Sequence, residues 1–128
     1  MPSTVPFKLV TPAEVVFDGD AELVIAVTTE GEEGILPKHA PFLAALRPGV
    51  LRANVRADGG ATTRLELATS SGFMQALPDR VTVVVDEALR FEQVVVAEAR
   101  RELEEATARH DEAVIEFANA KLRLTGHR

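Results

Sequence analysis

Thr29-Glu30-Gly31-Glu32-Glu33-Gly34-Ile35-Leu36-Pro37-Lys38-His39-Ala40-Pro41 reads as a tight connection between strands. Gly31 and Gly34 permit backbone angles that a Cβ disfavours, and they bracket two acids, so an acidic loop is expected there. Pro37 and Pro41 fix φ and remove two backbone donors, which predicts a rigid turn over Lys38 to Ala40. Upstream, Ala21 to Thr28 alternates around Leu23, Ile25 and Val27. Downstream, Phe42 to Leu46 is apolar and is closed by Pro48-Gly49, a strong turn signal. The loop thus joins two strands, and it presents carboxylates without a nucleophile.

Further out, the same pattern repeats. Val5, Phe7 and Leu9 alternate with polar or small neighbours until Thr11-Pro12. Glu14 to Phe17 forms a short run that Asp18-Gly19-Asp20 is expected to end. In Val50 to Val55 the residues Val50, Ala53 or Asn54, and Val55 compete for the inner face. Asp58-Gly59-Gly60 has hairpin chemistry, and Thr62 to Ala68 then sets Leu65 and Leu67 against Arg64 and Glu66. Gly72-Phe73-Met74 opens a strand, with Phe73 and Met74 expected in the core. Pro78-Asp79 ends it, and Arg80 to Val85 is a β-branched run. Turn signals every ~8–12 residues predict an antiparallel β-sandwich or barrel.

Composition changes near Asp86. All seven prolines and seven of the eight glycines precede it. The acidic excess also lies there: residues 1–87 hold twelve acids and seven bases, residues 88–128 eight and seven. These shifts predict a β-sandwich domain over residues 1–87 and an α-helical region over 88–128. In the latter, Val96, Ala99, Leu103 and Ala106 fall at helical spacing, and Val114, Phe117, Ala118 and Leu122 form a second stripe with Asp111 as its N-cap. The Val94-Val95-Val96 run lowers helix propensity slightly, which is compatible with a delayed helix start or with a docking spot. Thr107 to His110 holds no Gly or Pro, so a two-helix hairpin and one extended helix are both compatible with the pattern.

The chain has 128 residues, a net charge of −6 and no cysteine, which excludes disulfides, thiolate metal sites and cysteine catalysis, and argues against non-specific nucleic-acid binding. No run approaches the ~18 apolar residues of a membrane span, and Met1 to Val5 lacks the marks of a signal peptide. His39, His110 and His127 are too far apart for a zinc site to be expected, and Gly31-x-x-Gly34 lacks the Gly-Lys-Ser/Thr of a phosphate loop. Glu30, Glu32 and Glu33 match no calcium-loop spacing. Thr69-Ser70-Ser71-Gly72 offers hydroxyls without a partnered base. No catalytic residue, metal or cofactor is expected.

Four stretches, in order, resemble the epsilon subunit of the F-type (rotary) ATP synthase. They are Val10-Thr11-Pro12-Ala13-Glu14 with Phe17-Asp18-Gly19; Gly31 to Pro41; Leu46-Arg47-Pro48-Gly49; and Ser71-Gly72-Phe73 followed by Val81 to Asp86. The resemblance implies an N-terminal β-sandwich, a C-terminal helical pair and a non-catalytic place on the central stalk, peripheral to the cytoplasmic face of the bacterial inner membrane. It implies the c-subunit ring as a partner at Glu30, Gly31, Glu32 and Glu33, and the gamma subunit at His39 and Phe42. It also implies a regulatory tail, represented by Val96, Leu103, Val114 and Phe117, that can reach the alpha and beta subunits and inhibit ATP hydrolysis. Some family members bind ATP through Ile/Leu-Asp-x-x-Arg-Ala. The arginine and alanine positions are Val95 and Val96 here, so the bidentate phosphate partner is missing and no ATP binding is expected. Two other readings use the residues alone: a stand-alone β-sandwich binding module that dimerises through Val96, Leu103, Val114 and Phe117, and a small enzyme built on Glu32, Glu33 and His39.

Overall fold

A computed structural model describes residues 4–56 and 60–126. Asp58-Gly59 of the expected hairpin and His127 lie outside the described residues. The chain is a β-sandwich followed by two helices. Strands β1 (Val5–Val10), β2 (Val15–Thr28), β3 (Gly31–Ile35), β4 (Phe42–Leu46), β5 (Gly49–Arg56), β6 (Thr62–Thr69), β7 (Gly72–Leu77), β8 (Arg80–Val85) and β9 (Ala88–Arg90) precede a 3₁₀ turn at Phe91–Gln93. Helices α1 (Val96–Arg109) and α2 (Glu112–Leu124) close the chain.

One layer runs β1-β8-β7-β4, the other is built from β3, β5, β6 and β9, and β2 belongs to both. Asp18-Gly19-Asp20 therefore does not end a strand: β2 runs through it for fourteen residues. Its first half pairs with β1, its second with β5 and β3. Glu22 is the extra residue where the β2–β5 register shifts, and such a bulge bends a strand enough to pass between layers. The local signal was misleading because Gly in a strand interior also marks a bend. Most pairs are antiparallel, but β1 and β8 are parallel.

The inner faces bury Phe7, Leu9, Val24, Ile35, Leu51, Leu67, Met74 and Val83 almost completely. On β5 the inward residues are Leu51, Ala53 and Val55, which settles the competition in that strand; Val50 points the other way. It meets α2, which packs on the outer face of β5 and β6 through Ala68, Phe117 and Ala120, with Leu89 and Leu124 at the margin.

The helices form a hairpin. The amide of Asp111 donates to Ala106 O at 2.9 Å and that of His110 to Thr107 O at 3.2 Å, with His110 at φ 58°. This is the pairing of a Schellman ending, normally built on Gly, which is why the turn left no glycine signal. Asp111 then caps α2 by accepting from the Val114 amide at 3.4 Å. Lys121, which is buried, reaches Glu102 on α1 at 2.8 Å and lies 4.4 Å above the Phe117 ring.

Candidate interaction surfaces

The acidic stretch is not a loop of its own length. Thr29-Glu30 makes the two-residue tip, and Gly31 to Ile35 is strand β3, an edge strand paired with β2 through Thr28↔Gly31, Val27↔Glu32 and Ala26↔Glu33. Gly31 carries φ 118°, a conformation that an L side chain resists, so the glycine is required there. The Thr28 hydroxyl donates to Gly31 O at 2.7 Å and accepts from the Glu30 amide at 3.0 Å, which stiffens the tip. Glu30 and Glu32 are exposed and Glu33 half-buried. Strand alternation puts Glu32 and Glu33 on opposite faces of β3. The Glu32 carboxylate accepts from Arg52 of β5 at 2.8 Å, an internal partner that sequence reasoning missed. The cue was present only in the register, which sets β5 beside β2 with Arg52 opposite Ile25.

The turn after β3 is built on Pro37. The His39 amide donates to Leu36 O at 3.2 Å, and Lys38 sits at φ 65°. Pro followed by a positive φ is the signature of a type II turn, where glycine is preferred. The His39 Nδ1 donates to Ala40 O at 2.7 Å, and its ring lies 5.6 Å from that of Phe42. Phe42 pairs with buried Ala76 and packs against the core, so its exposed neighbour is Leu43, 71% accessible.

Leu43 belongs to an apolar surface on the outside of the β1-β8-β7-β4 layer. Val10, Val84, Phe73 and Ala45 stand directly opposite one another across the four strands. Phe73, expected in the core, is 60% exposed, and Val84 is 48% exposed. The alternation explains the correction: Met74 and Ala76 point inward, so Phe73 and Gln75 point out. A groove of about 580 Å³ runs along this row and is also lined by Pro12, Leu46 and Gly72. Residues from all but the acidic one of the four motif stretches meet in it. Gly72 has to be glycine because an added Cβ would stand 2.0 Å from Val84 O.

The family model described as ATP synthase, Delta/Epsilon chain, beta-sandwich domain matches residues 4–91. The chain belongs to the ATP synthase epsilon-chain family. An ATP synthase epsilon chain of Chromobacterium violaceum is 39% identical over 102 residues, covering 77% of this chain and 71% of the relative. That of Halalkalibacterium halodurans is 38% identical over 124 residues, 94% of this chain and 90% of the relative. Among solved structures, a chain in the Euglena gracilis mitochondrial ATP synthase OSCP/F1/c-ring assembly superposes with a TM-score of 0.71 at 23% identity, covering 98% of this chain and 79% of that one. A chain from the Tetrahymena thermophila ATP synthase central stalk and c-ring gives 0.60 at 18% identity, over 91% and 96%. At these identities the structural likeness speaks for the fold alone. It spans the helical pair as well as the sandwich.

The other expected positions fall on the tail. Val96, Leu103 and Val114 are half-buried, while Phe117 is buried against the sandwich. Val95 is the N-cap of α1, exposed and with no side-chain bond to the helix. Among the described residues no helix is long and apolar enough to cross a membrane.

Proposed function

We propose that this chain is the non-catalytic central-stalk subunit of a proton-translocating F-type ATP synthase, bound at the cytoplasmic face of the bacterial inner membrane through its partners. It couples rotation of the c-subunit ring to the catalytic head. The observation that carries this reading is the pairing of an uncovered apolar row with a stiff acidic hairpin on an epsilon-family sandwich.

Each surface suits a different partner. The row Val10, Val84, Phe73 and Ala45, with Leu43 on the same face of β4, suits the gamma subunit, and the turn residue His39 with Phe42 beside it extends the contact at the start of β4: an aromatic in an apolar patch is the usual anchor of a stable interface. Glu30, Gly31, Glu32 and Glu33 suit the polar loops of the c ring, where exposed carboxylates set register and encounter rate more than affinity. The helical pair, with Val96, Leu103, Val114 and Phe117, is the regulatory arm, and in an extended form it reaches the alpha and beta subunits and restrains ATP hydrolysis. Because Val95 and Val96 replace the arginine and alanine of the nucleotide motif, the arm works without ATP binding.

Co-elution of the purified chain with gamma on gel filtration tests the reading. Phe73→Glu is expected to weaken the complex at least about 30-fold, as loss of an anchor residue does. Glu32→Gln is expected to leave the gamma complex intact and to lower proton-coupled ATP synthesis in the reconstituted motor. If Phe73→Glu bound gamma as well as the parent chain, the assignment of this face would be wrong.

A further inference from the structure

The Leu46-Arg47-Pro48-Gly49 motif carries one side chain that the rotor reading leaves idle. Arg47 sits between β4 and β5 on a firm base: its amide donates to Val27 O at 2.9 Å, and Pro48 and Gly49 behind it are buried. Its guanidinium points at the helical pair. Nε donates to Glu116 Oε2 at 3.0 Å, and a second guanidinium N–H donates to the same oxygen. Glu116 lies on α2 next to Phe117, the residue that anchors α2 on β5 and β6.

Among the described residues, Arg47–Glu116 is the one ion pair that joins the sandwich to the helices. Arg52–Glu32, Arg56–Glu22 and Arg64–Glu66 lie within the sandwich, and Lys121–Glu102 within the helical pair. The apolar contact beneath α2 is small. It buries three residues, Ala68, Phe117 and Ala120, with Val50, Leu89 and Leu124 partly buried beside them, against eighteen buried in the sandwich core. Helix α1 packs on α2 rather than on the strands. Among the described residues, one small apolar patch and one charge pair are the main contacts that hold the helical pair on the sandwich.

We infer that Arg47 is a salt-sensitive latch, closed on Glu116, that sets how much of the helical pair is docked on the sandwich. The pair is half-exposed, 49% at Arg47 and 26% at Glu116. It is therefore screened by salt and contributes modestly, which suits a contact that must open. A marginal docking equilibrium responds to a small change, whereas a large apolar interface would not. The consequence for hydrolysis rests on the regulatory reading above; the latch itself is a property of the free chain.

The absence of cysteine makes the test direct. Gln75→Cys and Arg101→Cys, both at exposed positions, place a dye pair across the sandwich and α1, and energy transfer reports docking. In about 20 mM salt, Arg47→Gln and Glu116→Gln are each expected to raise the undocked fraction about two- to fivefold. The double variant should be no worse than either single. The exchanged pair Arg47→Glu with Glu116→Arg should restore docking, and the parent chain in ~1 M salt should behave like the single variants. Unchanged energy transfer in the single variants, or additive effects in the double, would overturn the latch and leave the rotor reading standing. A latch that opens as described, with hydrolysis by the reconstituted enzyme restrained equally in all variants, would support the latch and remove the regulatory role.

Discussion

Single residues carry two conformational costs and one charge arrangement that stability measurements reach. Lys38 holds φ 65° in the turn after β3, where an L side chain pays for the left-handed region. Lys38→Gly is expected to raise stability by up to about 1 kcal/mol in urea unfolding, the strain relieved exceeding the entropy that glycine adds to the unfolded chain. His110, at φ 58°, is the equivalent position at the end of α1. Glu22, the bulge residue of β2, accepts from the Thr62 hydroxyl at 2.9 Å and from Arg56 at 2.9 Å, and these bonds hold its carboxyl below the ordinary range. A depressed folded-state value means that the stabilisation is present above the unfolded carboxylate range and is lost as pH falls through the folded value. Melting temperature against pH should therefore drop less steeply on the acid side in Glu22→Gln than in the parent chain. Equal acid slopes would show that the bulge carboxylate is not linked to folding.

At the scale of elements, alternation and turn chemistry were enough to read most strands. Leu65 and Leu67 face the core with Arg64 and Glu66 outside, as their spacing indicates. The misreadings came from residues whose local chemistry has two uses. Gly19 bends a strand instead of ending it, and Gly31 and Gly34 bracket acids that lie in a strand instead of a loop. Helix α1 starts at Val96, behind an N-cap, Val95, that offers no acceptor. Val95→Ser would place a hydroxyl over the first turn and Glu98 three residues on, a complete capping box. The expected gain is about 1 kcal/mol, read as higher helical content and a raised midpoint by circular dichroism.

For the whole molecule, the sandwich has its own buried set and the helices add a separate layer. A chain of residues 1–91 retains β9, which pairs with β6, and is expected to keep its β-type circular dichroism with a lowered melting temperature, since Val50, Ala68 and Leu89 become exposed. Loss of the β signal would mean that the helices are part of the folding unit. The two uncovered features of the assembled molecule, the apolar row and the acidic hairpin, are both products of strand pairing. The row joins residues from β1, β4, β7 and β8, whose separation in sequence hides their adjacency. The ion pair of Glu32 with Arg52 arises in the same way, across a strand that neither belongs to.

Local order along the chain was set by the sequence alone: a period of two as far as Val85, a helical period from Val96, and Gly, Pro and Asp at most of the turns between them. Those signals act over a few residues, through backbone sterics and the burial of alternate side chains. The tertiary structure decided what they could not reach. It chose which outer face α2 covers and which stays bare, ran β2 through both layers, and set Arg47 against Glu116. Each of these depends on pairings between residues far apart in the chain, whose energies appear only once the strands are in register.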